Sequence, residues 1–418
     1  MWQPLRLLFA SVVRSGRLEV VDARGRRHSF GDGTGPPLTL VIHDRRTERR
    51  LALSPQLVLG EAYMDGTLSV EGGRIYDVLD RLVGNLGAGP LPRWAGVLDR
   101  VRKSGRRLQQ LNTLRRARRN VAHHYDIDAS IYALFLDADR QYSCGYFAEG
   151  CDGLEDAQRA KKRHIAAKLA LGPGQTVLDI GCGWGGLALY LARHYGLSVT
   201  GITLSTEQLR LAEARADAAG LARRVHFALE DFRKVTGTFD RIVSVGMLEH
   251  VGINHYDTYF QQIGALLSDS GVALVHTIAR SDSPSVTNPF IAKYIFPGGY
   301  IPALSEVMPA IERSGLLTTD IEVLRLHYAE TLRHWRERFL ADWSRAAAIR
   351  DERFCRMWEF YLAGSEVAFR HQHLVVLQIQ LARRIDTLPL TRAYIAREEA
   401  RLAGLDRLDG GAHRMAGE

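Results

Sequence analysis

Residues 176–186, TVLDIGCGWGG, read as a strand that runs into a glycine turn and then a helix over Leu187–Tyr195. Val177, Leu178 and Ile180 suit a strand covered on both faces, and Gly181, Gly183 and Gly185 let the backbone turn tightly and come close to a ligand. The following helix would aim its N-terminal amides at that ligand. A dinucleotide fingerprint needs G-x-G-x-x-G and an acid at the end of the next strand. That strand, Leu197–Ile202, ends instead in Thr203, Leu204 and Ser205, which disfavours a nicotinamide cofactor.

Outward from this turn the chain alternates strand and helix. Leu154–Ala170 reads as a helix before it. After it come Ser205–Ala219, a helix with Ser205 as N-cap, and strands at Val225–Leu229, Asp240–Val245 and Val272–Ile278. This pattern predicts a mostly parallel, doubly wound sheet with ligands beyond the carboxyl ends of its strands. Asp231, Phe232, Glu249 and His250 follow strand ends, and His276 lies on the last strand. Thr331–Trp343 and Glu352–Arg370 read as helices with aromatic stripes, and Asn288–Gly299, interrupted by Pro297-Gly298-Gly299, as a lid or wall. Thr391 onward reads as polar and partly disordered.

The N-terminal third has another character. Met1–Val13 puts Trp2, Leu5, Leu8, Phe9 and Val12 on one side of a helix, suited either to a lipid interface or to packing on its own domain. Gly16–Leu53 alternates short apolar runs with turns, as in a small β-rich unit, and Leu57–Asp80 reads as one or two helices with a turn at Met64-Asp65-Gly66. Between Arg93 and Arg119 ten Lys or Arg residues stand against one acid, Asp99. Such a run is a solvated face, a flexible arm or a landing patch on an anionic bilayer. Nucleic acid is not expected as a partner, because stacking would need interleaved aromatics and this run has only Trp94.

The chain has 418 residues and a formal charge of +8, which suits two domains and an anionic partner. No run reaches the ~20 apolar residues of a membrane span. Met1–Val13 has arginine inside its apolar run and no small-residue cleavage site after it, so the expected location is the cytoplasm, peripherally at the inner face of the membrane. Cys144, Cys151, Cys182 and Cys355 lack paired C-x-x-C spacing, and the adjacent histidines of His123-His124-Tyr125-Asp126 chelate poorly, so no metal is expected. The expected boundaries are a small domain over 1–92 that ends in a Gly/Pro-rich linker from Gly84, a basic linker over 93–119, a catalytic domain over 120–390 and a polar tail over 391–418.

The opening turn resembles the first motif of S-adenosylmethionine-dependent methyltransferases. Together with YSC at 142–144, GITLSTEQ at 201–208, DRIVSVGMLEHVG at 240–252, YDTYF at 256–260, HTI at 276–278 and KYIFPGG at 293–299, it makes the chain similar to the cyclopropane-fatty-acyl-phospholipid synthase family and the related mycolic acid cyclopropane synthases. The similarity covers roughly residues 120–370, with LGEAYMDG at 59–66 as a weaker match. It implies an α/β fold, a doubly wound Rossmann-like methyltransferase sheet with a smaller N-terminal α+β lipid-interaction domain. It also implies transfer of a methylene group from S-adenosylmethionine to a cis double bond of phospholipid acyl chains at an anionic membrane surface.

The cofactor residues implied are Asp179, Gly181 and Gly183 at the amino-acid end, with Tyr142 and Ser143 closing over the carboxylate. Thr203 and Gln208 replace the usual ribose-binding acid, and Asp231 and Phe232 hold adenine. A bicarbonate base is implied at Cys144, Glu249, His276, Ile278 through its backbone, and Tyr328. Branching of the same chains and an inactive lipid-binding homologue are the other readings, and a homodimer stays open. Ser365 stands where the family often has cysteine, outside the bicarbonate set.

Overall fold

The computed structural model describes residues 1–86 and 129–415. The basic run at 93–119 and the His123–Asp126 cluster lie outside the described residues.

The N-terminal unit is a four-stranded sheet with helices packed on it. Its elements are α1 (Gln3–Val12), β1 (Leu18–Val21), β2 (Arg27–Phe30), β3 (Leu38–Ile42), α2 (Arg45–Leu53), α3 (Pro55–Met64), β4 (Leu68–Glu71) and α4 (Ile75–Gly84), with strand order β2-β1-β3-β4. Alternation along β1 and β3 buries Leu18, Val20, Leu40 and Ile42, and α1 adds Leu5, Leu8 and Phe9 to that core. The first helix therefore packs on its own domain, with Trp2 and Leu7 left exposed.

Two local expectations give way here. Arg45–Leu53 is a helix rather than part of the strand unit, because the Asp44 carboxylate accepts the Thr47 amide at 2.8 Å and starts a turn. The Leu57–Asp80 stretch holds a strand, β4, between its two helices, paired antiparallel to β3.

The larger unit contains α5 (Ala129–Phe135), α6 (Leu154–Lys168), β5 (Thr176–Ile180), α7 (Gly186–Tyr195), β6 (Ser198–Thr203), α8 (Thr206–Ala218), β7 (Val225–Leu229), β8 (Phe239–Val245), α9 (Tyr256–Leu266), β9 (Leu267–Arg280), α10 (Leu304–Ser314), β10 (Leu317–Leu324), α11 (His327–Ala341), α12 (Trp343–Ile349), α13 (Glu352–His371), β11 (Leu374–Ala382) and α14 (Ala393–Met415). The sheet order is β10-β11-β9-β8-β5-β6-β7. Strands β5 to β9 pair in parallel, and β11 runs antiparallel between β9 and β10.

The order reverses at β5, between β6 and β8, which opens a crevice at the carboxyl ends of these strands. Strand β11, LVVLQIQLA, is buried at every position and lies beyond the stretch expected to form the sheet. Within the tail from 391, expected to be polar and partly disordered, Ala393–Met415 forms α14. Leu402 is fully buried, and Glu399 receives His164 of α6 at 2.8 Å.

The two units meet along α3 and α4, and His371 of α13 reaches Asp80 of α4 at 2.8 Å. Glu61 accepts Lys293 Nζ at 2.6 Å and the Tyr294 hydroxyl at 3.0 Å from the 288–299 segment, and Arg50 of its own domain at 2.5 Å. Tyr63 donates to Glu359 of α13 at 2.6 Å. Gly60 has no room for a side chain against the rings of Phe290 and Phe360.

Candidate active site

The cleft at the topological switch is built from strand tips. Gly181 and Gly183 follow β5, Thr203 ends β6, Asp231 and Phe232 follow β7, and Met247 follows β8. Together they line a cavity of about 560 Å³, counting its open mouth. Gly181, Gly183 and Gly185 take the left-handed conformation, and a side chain at Gly185 would fall 2.6 Å from the Phe227 ring. Ser205 caps α8 by accepting the Gln208 amide at 3.3 Å, and this places the Gln208 carboxamide where it accepts the Thr203 hydroxyl at 2.8 Å.

Two expected donors and acceptors are already engaged. The Gly181 amide turns back on the Ile202 carbonyl at 2.9 Å, so it is the bare Cα of this residue, rather than its N–H, that faces the cleft. Both oxygens of Asp231 receive Arg233 at 2.7 Å, which fixes the carboxylate as the cap of a short helical turn carrying Phe232. Phe232 is buried edge-on to Tyr259, so packing and a cleft position coexist. Glu230 and His250 also line the cleft, and sequence reading gave neither a role. The adjacent acids of ALEDF were the available signal for Glu230.

Asp179, at the end of β5, is the most telling group. It is 2 % exposed, its Oδ2 has no hydrogen-bond partner among the described residues, and burial raises its pKa to about 7 against the single opposing influence of Lys161. An ammonium brought there would meet an unpaired carboxylate. Asp179 itself lies beneath the turn and is not among the residues that line the cleft, and neither are Tyr142 and Ser143. The Tyr142 ring stacks on Trp335 and its hydroxyl meets that of Tyr361 at 2.8 Å, while the Ser143 hydroxyl accepts Lys161 Nζ at 2.7 Å.

The second group of residues lies where β8 stops and β9 continues. Past Val245 the amides of β9 lose their parallel partner, and Glu249 takes that place: its Oε1 accepts the Ile278 amide at 2.5 Å. This N–H, expected to hold bicarbonate, is therefore spent on the carboxylate. Glu249 Oε2 has no partner among the described residues, and burial raises the acid to about 7. His276, two residues before Ile278, shares its sheet face.

The Gln378 amide lies 3.2 Å from His276 Nδ1, which assigns the ring proton to Nε2, and that nitrogen is unpartnered among the described residues. Burial holds the imidazole well below the usual histidine range, and therefore neutral. The Cys144 thiol is buried and pushed up to about 12, so it stays protonated, and it donates to the Gly145 carbonyl at 3.2 Å rather than into an open site. Thr331 of α11 anchors the loop that carries it, accepting the Gly145 amide at 2.9 Å and donating to the His327 carbonyl at 2.8 Å. Cys144, Tyr328 and Ile278 belong to one packed cluster with Tyr142, Trp335, Trp358 and Tyr361. The aromatic stripes of α11 and α13 form the heart of that cluster.

Comparison with known proteins follows the same division. Residues 112–379 match the family model described as mycolic acid cyclopropane synthetase, and residues 8–87 match a domain of unknown function. The cyclopropane-fatty-acyl-phospholipid synthase of Escherichia coli K12 is 40 % identical over 342 residues, covering 81 % of this chain and 86 % of its own. The tuberculostearic acid methyltransferase UfaA1 of Mycobacterium tuberculosis is 36 % identical over 380 residues, 88 % of each chain. Among solved structures, the mycolic acid cyclopropane synthase CmaA1 complexed with SAH and CTAB superposes with a TM-score of 0.60 at 33 % identity, covering 63 % of this chain and 97 % of that one.

Proposed function

The chain belongs to the mycolic acid cyclopropane synthetase family, and from that membership we propose that it transfers a methylene group from S-adenosylmethionine to the cis double bond of unsaturated phospholipid acyl chains, closing a cyclopropane ring. The observation that supports this most is a pair of buried, incompletely bonded carboxylates on one sheet, Asp179 and Glu249, the second bonded to Ile278 of the aromatic cluster. One is suited to hold a cation, the other to manage a proton.

The chemistry explains the surroundings. An alkene that attacks a sulfonium methyl forms a carbon–carbon bond as the carbon–sulfur bond breaks, and a carbocation remains that water would quench. Buried rings such as Tyr132, Trp335 and Trp358 exclude water, and their faces stabilise the cation. Loss of a proton from the new methyl group then closes the ring.

S-adenosylmethionine, when bound, supplies the electrophilic methyl group. Asp179 would hold its ammonium, Thr203 and Gln208 its ribose, and Phe232 with Asp231 its adenine. The open cleft and the orphaned Asp179 oxygen fit that ligand. Bicarbonate, when bound, supplies a weak base. His276 Nε2 and the Tyr328 hydroxyl are suited to donate to it, the Cys144 thiol only on turning from the Gly145 carbonyl, and Glu249 Oε2 to take its proton. Ile278 serves through Glu249, whose carboxylate it orients.

The acyl substrate lies in a bilayer, yet no described helix is long and apolar enough to cross one. The small domain exposes Trp2, Leu7 and Leu53 beside Arg45, Arg46 and Arg49 of α2, a composition suited to an anionic membrane surface. Vesicle affinity should fall as salt rises, and salt-independent binding would refute the electrostatic part.

The decisive experiment incubates purified protein, S-adenosylmethionine and bicarbonate with unsaturated anionic vesicles. Cyclopropyl protons in the proton NMR spectrum are expected, and unmodified alkene refutes the proposal. The similarity to a tuberculostearic acid methyltransferase favours branching as the second reading. Methylene-branched and cyclopropane products are isomers, so the spectrum, and not the mass, decides between them.

A further inference from the structure

Lys161 has no task in the reaction as outlined, yet it is 1 % exposed on α6, beneath the loop that carries Ser143 and Cys144. Its Nζ donates to Gln141 Oε1 and Ser143 Oγ, each at 2.7 Å. Both acceptors are neutral, and no described carboxylate is hydrogen-bonded to the ammonium. Asp137 lies in its field but accepts the Gln141 and Asp139 amides, and Asp139 is taken by Lys162 and Arg215. An ammonium has three N–H donors, so one is left over.

The other unmatched charge nearby is Asp179, whose ionisation Lys161 influences without bonding to it. Two buried opposite charges that do not join into an ion pair are costly on their own. They become favourable when a zwitterion lies between them, its ammonium on the acid and its carboxylate on the base. An amino acid is such a group, and the sulfonium cofactor ends in one.

We propose that Lys161 binds the α-carboxylate of the cofactor's amino-acid end with its third N–H while its other two hold the Gln141–Ser143 loop closed, leaving Asp179 to take the α-ammonium. This assigns the anion-binding task expected of the Gly181 amide, which the turn has spent, to a side chain that sequence reading passed over. It also gives Ser143 a route to the cofactor through Lys161. Burial lowers the lysine to about 8, consistent with a site whose anion completes it.

The proposal rests on the reading of the cleft as an S-adenosylmethionine site, and its test separates the two. Calorimetric affinities are measured for S-adenosylhomocysteine and for 5′-methylthioadenosine, which lacks the amino-acid end, in wild type, Lys161→Met and Lys161→Gln. Both substitutions are expected to weaken S-adenosylhomocysteine at least tenfold and to leave 5′-methylthioadenosine within twofold. Lys161→Arg is expected to restore part of the loss. Unchanged S-adenosylhomocysteine affinity overturns the proposal, and so does equal loss of both ligands, which would make Lys161 a structural prop. A wild-type protein that binds neither nucleoside overturns the cofactor reading itself, and this inference with it.

Discussion

Asp179 and Glu249 make an instructive pair. Both are buried carboxylates at the carboxyl ends of strands of one sheet, both keep one oxygen without a partner among the described residues, and burial raises both to about 7. Their surroundings differ in sign. Asp179 has the Lys161 ammonium in its field, whereas Glu249 is braced by the Ile278 amide. Equal burial therefore prepares two opposite responses. A cationic ligand pulls Asp179 back into the ionised range, and an anionic one pushes Glu249 further toward the protonated form.

This contrast is open to attack at several points. The largest expected effect is on Glu249→Gln, which should cut product formation by about 10³-fold or more if the acid manages the proton, with S-adenosylhomocysteine affinity unchanged. Retained turnover would erase the distinction between the two acids. Asp179→Asn should show the converse, an S-adenosylhomocysteine dissociation constant raised roughly 10- to 100-fold through loss of a charged hydrogen bond.

A proton count sharpens the pair without mutation. Near pH 7, S-adenosylhomocysteine binding should release about half a proton as Asp179 ionises, visible as a buffer-dependent calorimetric enthalpy. Bicarbonate binding should shift protons the opposite way at Glu249.

The smallest effect is on stability. A carboxylate raised in the folded state contributes stability that is present below its unfolded value, near 4, and lost as pH rises through about 7. Glu249→Gln should therefore raise the melting temperature at pH 8 and leave it unchanged at pH 4.

The parts of the molecule legible in advance were those in which local chemistry dictates geometry. The apolar β5 followed by clustered glycines could only be a buried strand and a tight turn, and Ser205 was readable as a cap because it meets an orphan amide. Strand β11 was missed because its antiparallel entry between β9 and β10 depends on contacts about a hundred residues away in sequence, as in the Gln378 and His276 pair. Helix α2 was misassigned because its arginines hide a period that Leu51 and Ala52 reveal only once packed.

Within the site, the identities of the acids, histidine and thiol were accessible, but their prior commitments were not. Nothing in the text of the chain says that Ile278 gives its amide to Glu249 or that Arg233 occupies Asp231. Lys161 was overlooked for a similar reason. A lysine in a run of KKR on a helix reads as solvated, and only the packing of α6 against the 141–144 loop buries it.

Glu61 carries one further consequence. Lys293 and Tyr294, from the stretch expected to wall the substrate's entrance, are both moored to this single carboxylate on the neighbouring domain. That stretch is thus not a free flap hinged on its own ends. It is tethered across a domain boundary by these two bonds, and within the larger unit by the packing of Phe290 on Phe360. Any shift of the small unit against the larger one therefore bears, through Glu61, on the stretch that carries Lys293 and Tyr294.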